Sequence, residues 1–439
     1  AIDPRHIIII EDGLHGFHRL PHPSQKGWEN VIYSFNYYPQ TTEEGVNAES
    51  VLFQKFNRAA LYYNVPVYVG EFNTLKIQRG GVDTLLRYMQ AFDYFEWPWT
   101  FWSFKKIEDN RDYNWGIYGY DQHPRIHFQT DSAEAIQAAF EKMNTAETGG
   151  QPFLETALRQ PPLLPIMPSE LPSGSLHLAI KDAFLFPEGG RDLRMDWSGA
   201  EPVVGYWGKD DRLAWPVDIP EDGSYQLCLT LANFSSNMGV RVWQDGILAF
   251  VSRVKIPTGN WNRYESRTLG VLKLAKGRHL IEISSAKETD SFMNLRSGAL
   301  FPTTANPTPL DESQIRLFAA NMNPPAASSP IRVEWLNDPP GIGYWTPAEK
   351  VDWPVSLSKE RDYKAVISYA TPNTDTVVCI FIDNQKVLAA RTPSTKDWSA
   401  FETITLGQVK MPAGAHTVSV QWNGANQAGC GNMSEILLR

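Results

Sequence analysis

The run VPVYVGEFNT, residues 65–74, closes a valine-rich strand pattern on a single carboxylate, Glu71, set between Gly70 and Phe72. A charge at the end of a strand buried on both faces loses hydration, so an idle carboxylate is expensive there. A glutamate so placed suits chemistry that needs a fixed carboxylate, and such chemistry needs a partner group. Two other acidic pairs follow strand patterns: Glu11 and Asp12 after HIIII, and Glu108 and Asp109 in KKIEDN. As loop carboxylates they require no special role. The second chemical signal is aromatic. Fifteen Trp, 17 Tyr and 21 Phe make 12% of the chain, more than core filling needs, and the surplus suits stacking against flat, weakly charged rings such as sugars.

The elements that position these groups change character along the chain. HIIIIE (6–11), VIYSFNYY (31–38), VPVYVGEF (65–72) and WTFWSFK (99–105) are continuous apolar runs, as expected of parallel strands covered on both faces. Between them Leu52, Phe56, Ala59, Ala60 and Tyr63, and then Val82, Leu85, Leu86, Met89 and Phe92, recur at helical spacing. A further helix carrying Ile136, Ala139, Phe140 and Met143 is expected after DSAE, with Asp131 and Glu134 as a capping pair. Residues 145–174 are rich in Pro and Gly and lack periodicity, which predicts a linker.

The remainder is a duplication. GYWGKDDRLAWPV from Gly205 answers GYWTPAEKVDWPV from Gly343, and Trp261, Gly270, Gly277 and His279 answer Trp398, Gly407, Gly414 and His416. Each copy alternates with period two, as in Leu213, Trp215, Val217 and Ile219, and reads as a β-sandwich. In that register Trp215, Trp353, His279 and His416 are expected in the core.

Net charge is −9 and no run of Lys or Arg exceeds two residues, which argues against nucleic-acid or anionic-membrane partners. No apolar stretch approaches a membrane span. Of Cys228, Cys379 and Cys430, only the last two are expected to be able to pair. The chain opens AIDPRHIIII, without Met or signal peptide, and reads as entered in mid-domain.

Several of these pieces resemble glycoside hydrolase family 5, the cellulase-type family. DPRHIIIIEDG resembles its fifth strand, VIYSFNYYP its sixth, VPVYVGEFNT its seventh and WTFWSFKK its eighth. The resemblance covers residues 1–143. It implies that Glu71 is the nucleophile, Tyr38 its supporting hydroxyl and Trp102 the floor of the sugar subsite. The family's sixth-strand His is here Asn36, a substrate-binding position. Retaining hydrolysis needs two carboxyl groups, one attacking the anomeric carbon and one protonating the leaving oxygen. The family's acid lies in an Asn-Glu pair after its fourth strand, and no Asn-Glu dipeptide occurs in this sequence. Glu108 is then a candidate acid supplied across a homodimer of paired half-barrels, with Glu11 a weaker one. Alternatively the chain is a fragment of a longer enzyme, or a sugar-binding protein without turnover.

The two repeats resemble carbohydrate-binding modules of families 6 and 35 and similar modules appended to bacterial fucosidases, through GYW…W, TGNW/TKDW and LG…G.H. By that resemblance Trp207 and Trp345, in loops before a strand, are expected to stack on sugar. Calcium is not expected, since the acidic opening of those modules is not evident, and no other cofactor is implied.

The expected fold is multidomain α/β plus all-β. Residues 1–144 form half of a (β/α)8 TIM barrel (strands 5–8), residues 145–174 a Pro-rich linker, and residues 175–303 and 304–439 two tandem jelly-roll-like β-sandwiches. The expected protein is a secreted retaining β-glycoside hydrolase acting on a β-glucan-type polysaccharide; the alternative is a non-catalytic polysaccharide-binding protein.

Overall fold

The computed structural model describes residues 6–11, 13, 16–38, 46–73, 81–104, 116–120, 126–143, 145–146, 152–159, 172–188, 193–197, 202–236, 238–286, 292–347, 349–424 and 429–439. The chain divides into two compact units. One comprises Ala1–Phe17, Asn30–Phe53 and Val65–Pro165; the other comprises His18–Glu29, Gln54–Asn64 and Ile166–Arg439.

The first unit holds a four-stranded sheet of β1 (Ile8–Glu11), β2 (Val31–Tyr37), β3 (Val67–Phe72) and β4 (Trp99–Phe101), paired in chain order. Every pair is parallel. Helix Gly81–Tyr94 buries Leu85, Tyr88, Met89 and Phe92, so its apolar stripe runs through Tyr88 in place of the expected Leu86. Edge-to-face contacts of Phe92 with Phe72 (5.2 Å) and of Trp97 with Phe35 (5.7 Å) fill the space between helix and sheet. Four parallel strands in chain order are common to many α/β folds, and do not show the half of a (β/α)8 barrel expected from the sequence.

Two local readings change. The helix Ala133–Glu141 is capped by Ser132, whose Oγ accepts from the Ala135 amide; Asp131 instead accepts from the His127 amide at 2.7 Å. Within the expected linker lies a helix, Pro152–Leu158, with Leu154 and Ala157 buried. Two apolar positions three apart suffice for so short a helix and leave no visible period.

In the second unit each repeat forms a two-sheet sandwich. One sheet of the first repeat orders the strands Glu265–Leu274, Gly223–Ala232, Asn294–Thr303, Val203–Gly205 and Arg194–Asp196. Alternation in Gly223–Ala232 buries Tyr225, Leu227, Leu229 and Leu231 against the facing sheet. The facing sheet pairs Arg212–Ile219 with Gly277–Ser285, setting Trp215 opposite Ile281. Trp215 and Trp353 are fully buried in equivalent places, as their register requires. The two repeats share an eleven-stranded sheet, because Ile315–Phe318 pairs both with Ile247–Val254 and with Asn432–Leu438.

Charged residues far apart in sequence meet where the two repeats join. Arg212 bonds Glu188 and lies 3.7 Å from Glu282 and 3.5 Å from Glu435; Arg316 bonds Glu282 and lies 3.3 Å from Glu435. Phe186 and Phe318 stack on the Arg212 guanidinium, and Trp243 on that of Arg316. Burial outweighs the arginines at Glu188, pushing its carboxyl up to about 7. Cys379 and Cys430 are both free; the Cys430 thiol instead donates to the Trp422 carbonyl at 3.1 Å.

Candidate functional sites

The loop between strands Val203–Gly205 and Arg212–Ile219 begins with a tyrosine in left-handed backbone, Tyr206 at φ 60°. The second repeat does the same at Tyr344, φ 62°. A non-glycine residue seldom adopts this conformation without a reason. Here it brings the tyrosine outward and drops the following tryptophan into the core: Tyr206 is 50% and Tyr344 42% exposed, against 1% for Trp207 and 0% for Trp345. The expected roles of Trp207 and Trp345 are therefore corrected. Both are interior residues, their indole N–H groups bonded to the Val204 and Ile342 carbonyls, with no ring face left for a ligand.

Around each exposed tyrosine the same parts recur. Arg194 stacks on Tyr206 at 3.8 Å, and Arg332 on Tyr344 at 3.7 Å. Asn294, opening its strand, donates to the Trp261 carbonyl at 3.1 Å; Asn432 donates to the Trp398 carbonyl at 2.9 Å. Gly205 and Gly343 let these asparagines approach, since a Cβ would lie 2.9 Å and 2.5 Å from their Oδ1 atoms. The asparagine thus ties the tyrosine loop to the tryptophan loop, and Trp398 is 40% exposed. In the first repeat Phe234, also exposed, stacks alongside Trp261. Each site offers apolar ring faces beside amide, guanidinium and carboxylate groups, the mixture that recognises a sugar's flat face and its hydroxyls. Sequence reading missed Tyr206 and Tyr344 by one residue. The repeated Gly-Tyr-Trp is the available signal.

His279 and His416 have both ring nitrogens engaged, but they are not the core residues expected from their register: both are partly exposed and line a cavity of about 780 Å³ together with His22, Tyr62, Arg278 and Asn323. Each clamps a hairpin turn: Asp245 accepts from His279 at 2.7 Å, and Asp383 from His416 at 2.6 Å. The Asp245 bond holds His279 above the ordinary imidazole range despite its burial. A raised folded-state pKa contributes stability that is complete below the unfolded value, about 6.5, and is lost as pH rises through the folded value. The melting-temperature difference between wild type and His279→Gln is thus expected to be largest near pH 6 and to shrink above neutrality. A difference constant with pH would contradict the clamp.

In the first unit, β2 and β3 end side by side. The Tyr38 hydroxyl donates to Glu71 Oε2 at 2.7 Å, and Asn36 Nδ2 donates to Glu11 Oε1 at 2.9 Å. Burial raises the Tyr38 phenol, and its bond to Glu71 raises it further. Burial also raises the Glu11 carboxyl, with the charge of Glu71 adding to the effect. Trp102 follows β4 and is 37% exposed; its amide donates to the Phe72 carbonyl, one residue beyond Glu71. Glu11, Asn36, Tyr38, Glu71 and Trp102 thus belong to adjoining strand ends, whereas Glu108 lies outside the described residues. A carboxyl held by a tyrosine and a neighbouring carboxyl of raised proton affinity, Glu11, are parts that acid–base chemistry uses.

Residues 192–299, which carry the Tyr206 site, match the family described as carbohydrate binding module (family 6). Among solved structures the chain is similar to a family 35 carbohydrate binding module from Clostridium thermocellum, at 20% identity over 30% of this chain and 100% of that one, with a TM-score of 0.26. It is also similar to a module of Cellvibrio mixtus lichenase 5A in complex with cellotriose, at 16% identity over 28% and 95%, TM-score 0.24. A β-1,3-glucan binding family 6 module from Bacillus halodurans is 18% identical over 28% and 94%, TM-score 0.25. No curated protein matches the chain.

Proposed function

We propose that this protein binds a β-glucan-type polysaccharide through two equivalent aromatic sites, centred on Tyr206 with Trp261 and on Tyr344 with Trp398. The observation that carries this reading is the duplicated unit of outward tyrosine, stacked arginine and bridging asparagine, present in both repeats. The family 6 match over the first repeat supports it. Retention of the protein on a native gel containing soluble β-glucan tests it. Wild type is expected to be retarded, Tyr206→Ala and Tyr344→Ala each less so, and the double variant not at all. Equal mobility of all four proteins with and without glucan overturns it.

A second reading, hydrolysis of the bound glucan, is favoured by the Tyr38–Glu71 bond and by Glu11 as a second carboxyl with raised proton affinity. In this reading, which rests on the resemblance to family 5, Glu71 attacks the anomeric carbon and Glu11 protonates the leaving oxygen. The half-barrel, the extracellular location and a homodimer that completes the ring belong to the same proposal. Glu71→Gln is expected to abolish reducing-sugar release while leaving gel retardation intact. Equal release by wild type and variant removes the hydrolase and leaves the binding protein.

A further inference from the structure

The two sites share their framework and differ in charge. Strand register makes Glu265 equivalent to Glu402, Arg267 to Ile404, and Arg296 to Ser434, because Leu231 pairs with Glu265 and Leu295 as Tyr369 pairs with Glu402 and Met433. The same alignment sets Arg263 against Ala400. Three arginines of the first site are therefore neutral residues in the second, while Glu265 is kept as Glu402. Arg263 and Arg267 both reach Glu265, at 2.9 and 2.5 Å, and Arg296 stacks on Tyr264 at 4.0 Å, where the second site has Phe401.

The turn before each tryptophan differs with no change of net charge: Gly259 and Asn260 of the first repeat stand where the second has Lys396 and Asp397. In the first repeat Asn260 Oδ1 accepts from the Asn262 amide at 2.9 Å; in the second Asp397 Oδ1 accepts from the Ser399 amide at 2.8 Å. The turn is the same, so geometry does not demand the carboxylate. Bonds from Ser399 hold Asp397 below the usual carboxylate range, keeping a negative charge beside Trp398 where the first site has a neutral amide beside Trp261.

We propose that the two sites have diverged in ligand charge: the first takes a polysaccharide segment bearing carboxylate or sulfate groups, and the second takes a neutral segment. Guanidinium groups bind such anions through charge-assisted, often paired hydrogen bonds, and the second site has none of the three arginines. This rests on the sugar-binding reading of both sites.

The test uses full-length Tyr344→Ala, which leaves the first site, and Tyr206→Ala, which leaves the second. Both are titrated calorimetrically with three chains of one backbone: hydroxyethylcellulose, β-1,4-polyglucuronate and cellulose sulfate. At low salt Tyr344→Ala is expected to bind one of the polyanions about tenfold tighter than the neutral chain, the stronger polyanion showing whether carboxylate or sulfate is read. Adding Arg263→Ala, Arg267→Ile and Arg296→Ser should abolish that preference, as should roughly 0.5 M salt. Tyr206→Ala is expected to prefer the neutral chain. Equal affinities of Tyr344→Ala for all three chains, or a preference that survives loss of the arginines, overturn the divergence while the sugar-binding reading stands. Wild type binding none of the three overturns both.

Discussion

Glu282→Ala is expected to destabilise the protein by about 3–5 kcal/mol, the range for breaking a buried ion pair by removing one partner. Glu282 is 1% exposed and lies between Arg212 and Arg316, themselves buried, so its removal takes from Arg316 the carboxylate it bonds and leaves it only Glu435 at 3.3 Å, while Arg212 keeps Glu188. Denaturant unfolding followed by tryptophan fluorescence measures the loss, and a change under about 1 kcal/mol would show that the cluster is solvated. Replacing all five charges, Glu188, Arg212, Glu282, Arg316 and Glu435, together by apolar residues of similar volume should recover most of the loss. The desolvation of the charges then disappears along with their attraction. The same cluster sets a pH dependence. With its carboxyl raised to about 7, Glu188 binds more proton in the folded state than in the unfolded one, so its share of stability falls as pH climbs from about 4.5 through 7. Glu188→Gln is expected to flatten that slope.

The second large effect separates two neighbours. Trp207→Ala removes a fully buried indole that packs edge-on against Phe292 at 5.3 Å, and should cost about 3–5 kcal/mol of stability through the cavity it leaves. Tyr206→Ala removes a half-exposed ring in left-handed backbone. Its melting temperature should stay within a few degrees of wild type, while glucan affinity at that site falls roughly thirtyfold, the cost of losing about 2 kcal/mol of central aromatic contact. The pair is measured by thermal melts and by calorimetry in the Tyr344→Ala background, so that one site reports. If Trp207→Ala folds normally and loses affinity while Tyr206→Ala binds as before, the assignment of the two rings is reversed.

Much of this architecture is legible along the chain. The parallel strands of the first unit stand out as unbroken apolar runs, and the four appear in sequence order with the helices between them. The two sandwiches are visible as period-two alternation and as a repeat, because burial of one sheet face leaves a mark at every second residue. Glu71 stands out as a lone carboxylate closing an apolar run; in the fold it is half-buried, and the Tyr38 hydroxyl meets it.

The features that emerge only on folding are of two kinds. One is the facing of single residues in loops: Gly-Tyr-Trp does not reveal which ring points outward, because the left-handed turn that decides it depends on how closely Asn294 and Asn432 approach the adjoining glycines. The other is the meeting of charges distant along the chain. Glu188, Arg212, Glu282, Arg316 and Glu435 carry no common spacing or motif. Each is unremarkable in its own segment, and only the pairing of strands across the two repeats puts them within reach of one another. Periodicity records which face a residue turns to the core, and has no means of recording which distant residue it finds there.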